Sequence, residues 1–274
     1  MRIRVSVGPV LVAVAAFATA VACAPAGEPP AAASAASPPA AAGAPDVAQP
    51  KRGGTLILNE NMQKPAMDLD QHRAISSDSL NVGGNLYLPI LGEDTQNRGL
   101  NNIGYVAESW EQSPDGKTYT LKIRQMTTHK GKPFTAEDVA YNLERMRTQP
   151  NKLSLVRSGC LRAVVQKAAA PNPTTVVLTL QTPSASFISC LANPHILMIP
   201  KHVLEEIDGP GQGRAMQPED VDGIGPFKFV KWVDGSMLEM ERSDTYFRPG
   251  LPYLDRIQLV QLPDPSSAIA AFRT

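Results

Sequence analysis

The polar groups of this chain that could bind or cap something are densest in one short run. Ile75-Ser76-Ser77-Asp78-Ser79-Leu80-Asn81 sets hydroxyl, carboxylate and amide groups side by side. Such groups can hydrogen-bond a polar ligand, or they can open a helix, with Ser or Asp accepting from the first free backbone N–H groups. Both readings stand at this point. Two further cysteines, Cys160 and Cys190, can pair in an oxidising compartment or stay as buried thiols. No C-x-x-C accompanies them, and the four histidines (His72, His129, His195 and His202) lack ligand spacing, so neither a metal nor a cofactor is expected. No G-x-S-x-G, S-x-x-K, H-E-x-x-H or Walker sequence occurs, and no catalytic residue is expected. Gly209-Pro-Gly-Gln-Gly213 is superficially like a phosphate cradle, but no G-K-[ST] follows and it reads as a surface loop.

The third cysteine, Cys23, has a different setting. Arg2 and Arg4 precede an apolar run from Val5 to Val21, which closes in the small residues before Cys23. Basic start, apolar core and small-residue cleavage site make a secretory signal over residues 1–22. With cysteine at the cut it is similar to a bacterial lipoprotein signal, in which Cys23 is lipidated and anchors the chain to a membrane by acyl chains. Ala20 stands where a leucine-like residue is usual. The next stretch, 23–50, is a tether: Ala24–Pro50 holds 12 alanines and 7 prolines, too little large apolar surface to offset its ordering entropy. Removing residues 1–22 leaves 24 basic against 26 acidic residues, net −2, which argues against nucleic acid as a partner.

Residues 51–274 are long enough for a sizeable core. Thr55–Leu58 reads as a buried strand, and Leu86–Leu91 as the end of a helix stopped by Pro89. Ser113-Pro-Asp-Gly116 is a turn, and Thr118–Arg124 alternates, with Tyr119, Leu121 and Ile123 on one face; with Tyr105–Trp110 it makes a hairpin. Phe134-Thr-Ala-Glu-Asp-Val139 opens a helix. Thr135 would cap it, Phe134 and Val139 would staple its entry, and Val139, Leu143 and Met146 would form its apolar stripe. Strands are expected at 162–167, 174–180, 226–233, 237–242 and 257–262. Helices are expected at 183–191, from Lys201, and from Ser266. This irregular alternation predicts an α/β class of mixed α+β type.

Several of these segments are matched together, in order, by one family. Tyr105-V-A-E-S-W-Glu111, S-P-D-G-K-T-Y-T-L-K-I-R (113–124) and G-K-P-F-T-A-E-D-V (131–139) resemble the signature of extracytoplasmic solute-binding proteins of family 5, the peptide and nickel receptors of ABC importers. Gly53-Gly-Thr-Leu56, Leu69-Asp-Gln-His72, Ile199-Pro-Lys201, Gly223-Ile-Gly-Pro-Phe227 and Glu241–Phe247 continue the resemblance across Gly53–Thr274. Two departures stand near its middle: Arg124–His129 lacks an aromatic before the histidine, and Lys130 replaces an acid.

The resemblance implies a periplasmic-binding-protein type II-like, two-lobe architecture. Residues 51–90 and 220–274 would form a discontinuous first lobe, and 91–219 a side domain inserted in it. The chain stops in a helix that such proteins continue, so the second lobe is expected to be missing. The segment after L-D-x-H lines the family's cleft, which makes Ile75, Ser76, Ser77, Asp78, Ser79 and Asn81 the expected ligand contacts. Asp78 suits a ligand ammonium, such as a peptide N-terminus.

The implied protein is not an enzyme. It is a lipid-anchored, monomeric, extracytoplasmic receptor of the periplasm or outer cell surface, capturing a peptide or another small solute for ABC permease subunits. With one cleft wall absent, weak binding is expected. The alternatives are a peptide sensor or adhesin on the same fold and, more remotely, a lipoprotein hydrolase.

Overall fold

The computed structural model describes residues 50–60, 68–93, 102–148, 155–209, 214–262 and 264–273. The signal, Cys23, nearly all of the tether and most of the loop 209–213 lie outside them.

In chain order the elements are β1 (Thr55–Asn59), α1 (Ser77–Leu86), β2 (Leu88–Pro89), β3 (Leu91–Glu93), β4 (Asn102–Gly104), β5 (Ala107–Gln112) and β6 (Thr118–Ile123). Then come β7 (Met126–Thr127), β8 (Pro133–Phe134), α2 (Ala136–Thr148), α3 (Leu155–Val164), β9 (Val165–Asn172), β10 (Thr175–Leu180) and α4 (Phe187–Leu191). The last are β11 (Leu197–Met198), α5 (Lys201–Asp208), β12 (Phe227–Val233), β13 (Met237–Arg242), β14 (Arg256–Val260) and α6 (Pro265–Arg273).

Two four-stranded sheets organise them. One runs β1-β14-β13-β12, with β1 parallel to β14 and the other pairs antiparallel. The second, β5-β6-β10-β9, is antiparallel throughout. Each sheet has its own apolar core. Val82, Leu86, Tyr87, Leu204, Ile207, Leu238, Met240 and Leu259 gather in the core of the first sheet. Tyr119, Leu121, Phe134, Val139, Leu143, Val176 and Phe187 gather in the core of the second.

The best-patterned sequences form as their patterns dictate. In β6 Tyr119, Leu121 and Ile123 are buried and the residues between them face out. The turn before it closes through Gly116 N–H to Ser113 O (2.8 Å) and Lys117 N–H to Asp115 Oδ1 (3.0 Å), with Gly116 at φ 70°. Thr135 Oγ1 accepts from Glu137 N–H (3.3 Å), and Asp138 Oδ2 accepts from Thr135 N–H (2.8 Å), so α2 begins where its cap sits. Phe134 and Val139 are both fully buried.

Three readings change. β1 is a strand but not a buried one: Leu56, Ile57 and Leu58 are 39%, 60% and 38% exposed, because β1 is an edge whose only strand partner among the described residues is β14. The helix expected to stop at Pro89 ends at Leu86, where Tyr87 N–H bonds Gly83 O, and Leu88–Pro89 pair with Leu197–Met198 instead. The strand expected from Arg162 starts at Val165, because Leu155–Val164 is helical. That helix is tied to α4 by a disulfide between Cys160 and Cys190, whose Cα atoms are 6.0 Å apart.

The Gly223-Ile-Gly225 segment docks on the last turn of α1. Leu86 O accepts from Ile224 N–H (3.1 Å) and Gly225 N–H (2.9 Å), which satisfies one of the carbonyls that a helix end leaves open. A Cβ on Gly223 would lie 2.1 Å from Leu86 O, and one on Gly225 2.3 Å from Asn85 O, both backbone atoms. Gly225→Ala is therefore expected to lower stability by about 1–3 kcal/mol, read as a shift of the urea midpoint. An unchanged midpoint would mean that the helix end is not held by this contact.

Candidate ligand-binding site

The loop 68–74 and the start of α1 are positioned by helix α2. Beside its apolar stripe α2 carries a second buried row at i, i+4, i+7: Asp138, Asn142 and Arg145. Every member is bonded. Asp138 Oδ1 accepts from Lys201 N–H (2.8 Å). Asn142 donates to Ile199 O (2.6 Å) and accepts from Ile199 N–H (2.9 Å). Arg145 makes a bidentate pair with Asp70, through Nη2 to Oδ2 (2.8 Å) and Nη1 to Oδ1 (3.3 Å). It makes another with Asp208, through Nε to Oδ2 (2.7 Å) and Nη2 to Oδ1 (2.8 Å).

His72 completes the group. Arg145 Nη1 lies 2.9 Å from His72 Nδ1, and a guanidinium can only donate, so Nδ1 accepts and Nε2–H donates to Leu197 O (2.8 Å). Burial first, then the Arg145 charge, push the His72 pKa down from 6.5 to about 4. Burial pushes the Asp70 carboxyl up, but Arg145 and His72 outweigh it and hold it below the ordinary value. For Arg145 burial opposes the charge, and Asp208 and Asp70 still raise its pKa.

Held in this way, the loop turns into α1 through further bonds. Asp68 N–H donates to Ser79 Oγ (2.9 Å), and Asp70 N–H to Asp68 Oδ1 (2.9 Å). Burial raises the Asp68 pKa. Ser76 is the N-cap: its Oγ accepts from Ser79 N–H (3.2 Å) and donates to Ser79 Oγ (2.9 Å).

The expected ligand contacts thus divide. Ser76 is the helix cap, and Ser79 is fully buried inside the loop. Ile75 is 82% exposed, and Ser77 and Asn81, one turn apart on α1, also face solvent. Asp78 lies in α1, with its side chain outside the described residues. Asn81 Nδ2 donates to Glu60 Oε1 (2.6 Å), which joins the exposed face of α1 to the residue just after β1. Ser77 and Asn81 therefore present polar groups on the exposed face of α1, Asn81 links that face to Glu60 just after β1, and Ile75 stands exposed just before the helix cap.

Sequence reasoning missed Glu60, which has no local signal, and the buried group around Arg145. The latter had one: Asp138, Asn142 and Arg145 recur with helical period beside the apolar stripe. The other histidines have structural partners. His129 Nε2 lies 3.0 Å from Gly225 O, and His202 Nε2 lies 3.1 Å from the buried Asp222 carboxylate. Two hollows, of about 600 Å³ and 680 Å³, lie beside α2 and β9, away from α1. Glu144, which lines both, is already bonded to Ala168 N–H (2.6 Å) and to Arg147, so its carboxylate is engaged within the fold.

Comparison with known proteins fits this architecture. The family model for bacterial extracellular solute-binding proteins, family 5 middle, matches residues 103–274, more than half of the chain. This chain belongs to that family. It is 31% identical over 207 residues to the glutathione-binding protein GsiB of Pectobacterium atrosepticum, covering 75% of this chain and 38% of that protein. It is 34% identical over 175 residues to a putative ABC transporter peptide-binding protein of Brucella ovis, covering 64% and 32% respectively.

Among solved structures, the periplasmic binding protein DppA of Helicobacter pylori in complex with the peptide STSA matches with a TM-score of 0.70 at 22% identity, over 81% of this chain and 45% of that one. The oligopeptide-binding protein AppA of Bacillus subtilis in complex with a nonapeptide matches with a TM-score of 0.69 at 24% identity, over 82% and 43%. The fold is thus the mixed α/β fold of periplasmic binding proteins, and the chain spans under half the length of these relatives.

The buried histidine makes a pH dependence. Below pH 6.5 the unfolded chain takes up a proton that folded His72 refuses until about pH 4, so stability falls as pH drops through that window. The loss should reach about 3 kcal/mol. Urea midpoints at pH 7, 5 and 4 should show it in the wild type, and His72→Gln should be less stable at pH 7 but flatter across the series. Equal slopes would remove His72 as the cause.

Proposed function

We propose that this chain serves as a substrate receptor of an ABC importer, presenting a small polar solute of the peptide class to permease subunits. The observation that carries the reading is the family match over residues 103–274. Two further facts narrow the solute. The relatives named above are described as glutathione- or peptide-binding, and glutathione is itself a small peptide. The α1 surface offers what such a ligand needs: a hydroxyl at Ser77, an amide at Asn81, a carboxylate at Glu60 for an ammonium, and the apolar Ile75 beside them.

In this reading Ile75, Ser77, Asn81 and Glu60 touch the solute, Asp78 stays a candidate for its ammonium, and Ser76 and Ser79 shape the loop. The division expected from sequence is kept as part of this reading, with 51–90 and 220–274 as a lobe and 91–219 inserted in it, the insert sending Leu204 and Ile207 into the core of the first sheet. Capture proceeds by closure of lobes around the ligand, with no bond chemistry. The receptor works outside the cytoplasm, tethered through lipid on Cys23.

Titration of the full chain with glutathione and with tri- and tetrapeptides, followed by NMR, tests the site. An open surface covers one side of a ligand, so a Kd on the order of 1 mM is expected. Shifts should centre on Ile75, Ser77, Asn81 and Glu60, and Ser77→Ala/Asn81→Ala should weaken them at least threefold without changing Tm. Shifts centred elsewhere would overturn the assignment. The anchor has its own test: a clickable palmitate fed to expressing cells should label the wild type and not Cys23→Ala, and equal labelling would exclude lipidation at that residue.

A further inference from the structure

A further hollow, of about 380 Å³, lies before the N-terminal end of β1, and its lining is basic. Arg52, Arg242 and Arg248 surround it with Ser243, Asp244 and Tyr246. Backbone geometry builds it. Gly53 N–H bonds Tyr253 O (2.8 Å), and Gly250, at φ 77°, has no Cβ to obstruct Arg52, whose Nη2 would lie 2.9 Å from one.

The three guanidiniums are held differently. Arg242 Nη1 pairs with Asp255 Oδ1 (3.1 Å). Arg52 and Arg248 have no carboxylate partner among the described residues. The Arg52 guanidinium lies over the Tyr253 ring at 5.2 Å, and that of Arg248 over Tyr105 at 4.4 Å and Phe247 at 5.4 Å. An aromatic face steadies a guanidinium without occupying its N–H donors as a carboxylate would. Asp244, the acid in the lining, is 87% exposed and lies 3.9 Å from Lys228. Two positive charges with open donors therefore share one concavity with no counter-charge of their own.

The geometry points to a binding site for an oxyanion of the phosphate class, which Arg52 and Arg248 would clasp through paired N–H donors. It is separate from the proposed solute surface: Arg52 precedes β1 and Glu60 follows it, and the five-residue strand between them spans roughly 15 Å. Pro50, where the stretch read as a tether ends, is two residues from Arg52. A phospholipid head group is therefore one source of the anion, and dissolved phosphate or a phosphomonoester is the other.

Inorganic phosphate, titrated into the full chain against chloride at matched ionic strength and followed by NMR, tests the site. Flotation of the Cys23→Ala chain, which lacks the acyl anchor, with phosphatidylglycerol-containing and pure phosphatidylcholine vesicles identifies the source. Arg52→Ala/Arg248→Ala is compared with Lys117→Ala/Lys167→Ala, which removes the same charge elsewhere, and near-identical spectra away from the pocket confirm folding. The arginine pair should weaken phosphate binding at least fivefold while the lysine pair leaves it unchanged. An arginine-dependent preference for anionic vesicles assigns the head group, and its absence beside arginine-dependent phosphate binding assigns the dissolved ion. Equal responses of the wild type and both variants to both probes, or equal losses in the two variants, would overturn the site.

Discussion

The guanidinium of Arg145 is buried with two carboxylates and a histidine, and the path of the chain around the proposed site depends on keeping that group complete. A charge taken out of water is tolerable only when its donors are used, and Arg145 spends Nε, Nη1 and Nη2 on Asp70, His72 and Asp208. These partners belong to two segments, the loop before α1 and the end of α5, and α2 carries Arg145 between them. None can move without leaving an uncompensated charge in the interior. The group is therefore better understood as a constraint on position than as a source of net stability.

Its effect passes outward by ordinary packing and hydrogen bonding. Asp70 and His72 fix the loop, the loop places Ser76 at the head of α1, and α1 brings Asn81 to Glu60. At the other end of the helix, Leu86 O receives the Gly223–Gly225 segment, which leads directly into β12. A short helix with exposed polar residues would be marginal alone. Here both ends are clamped by parts of the chain far away in sequence.

Legibility from sequence followed how local the cause was. The alternation in β6, the Ser113–Gly116 turn and the Thr135 cap are each decided by a few neighbouring residues, and they form as patterned. Helix α3 was missed because its sequence carries Gly159 and β-branched valines, and much of its support comes from outside: the bond to Cys190 and the one from Arg162 Nε to Met146 O (2.8 Å). The exposure of β1 was missed because an apolar run looks the same in a central strand and at an edge. For the proposed site, sequence put the segment 75–81 forward as a whole but could not separate residues that build the loop, Ser76 and Ser79, from those that face out, Ile75, Ser77 and Asn81. That difference rests on Asp68, whose N–H takes Ser79 Oγ, and on Glu60, at a distance no local pattern records.

The link between α3 and α4 bears on how such a chain can be made. There are three cysteines in the whole sequence, and three thiols allow three different pairings, two of which would trap Cys23 with the wrong mate. If the first of them is consumed as a thioether during export, a single pairing remains. For these three cysteines the order of two covalent events, acylation before oxidation, would then do the proofreading that shuffling enzymes perform for cysteine-rich proteins.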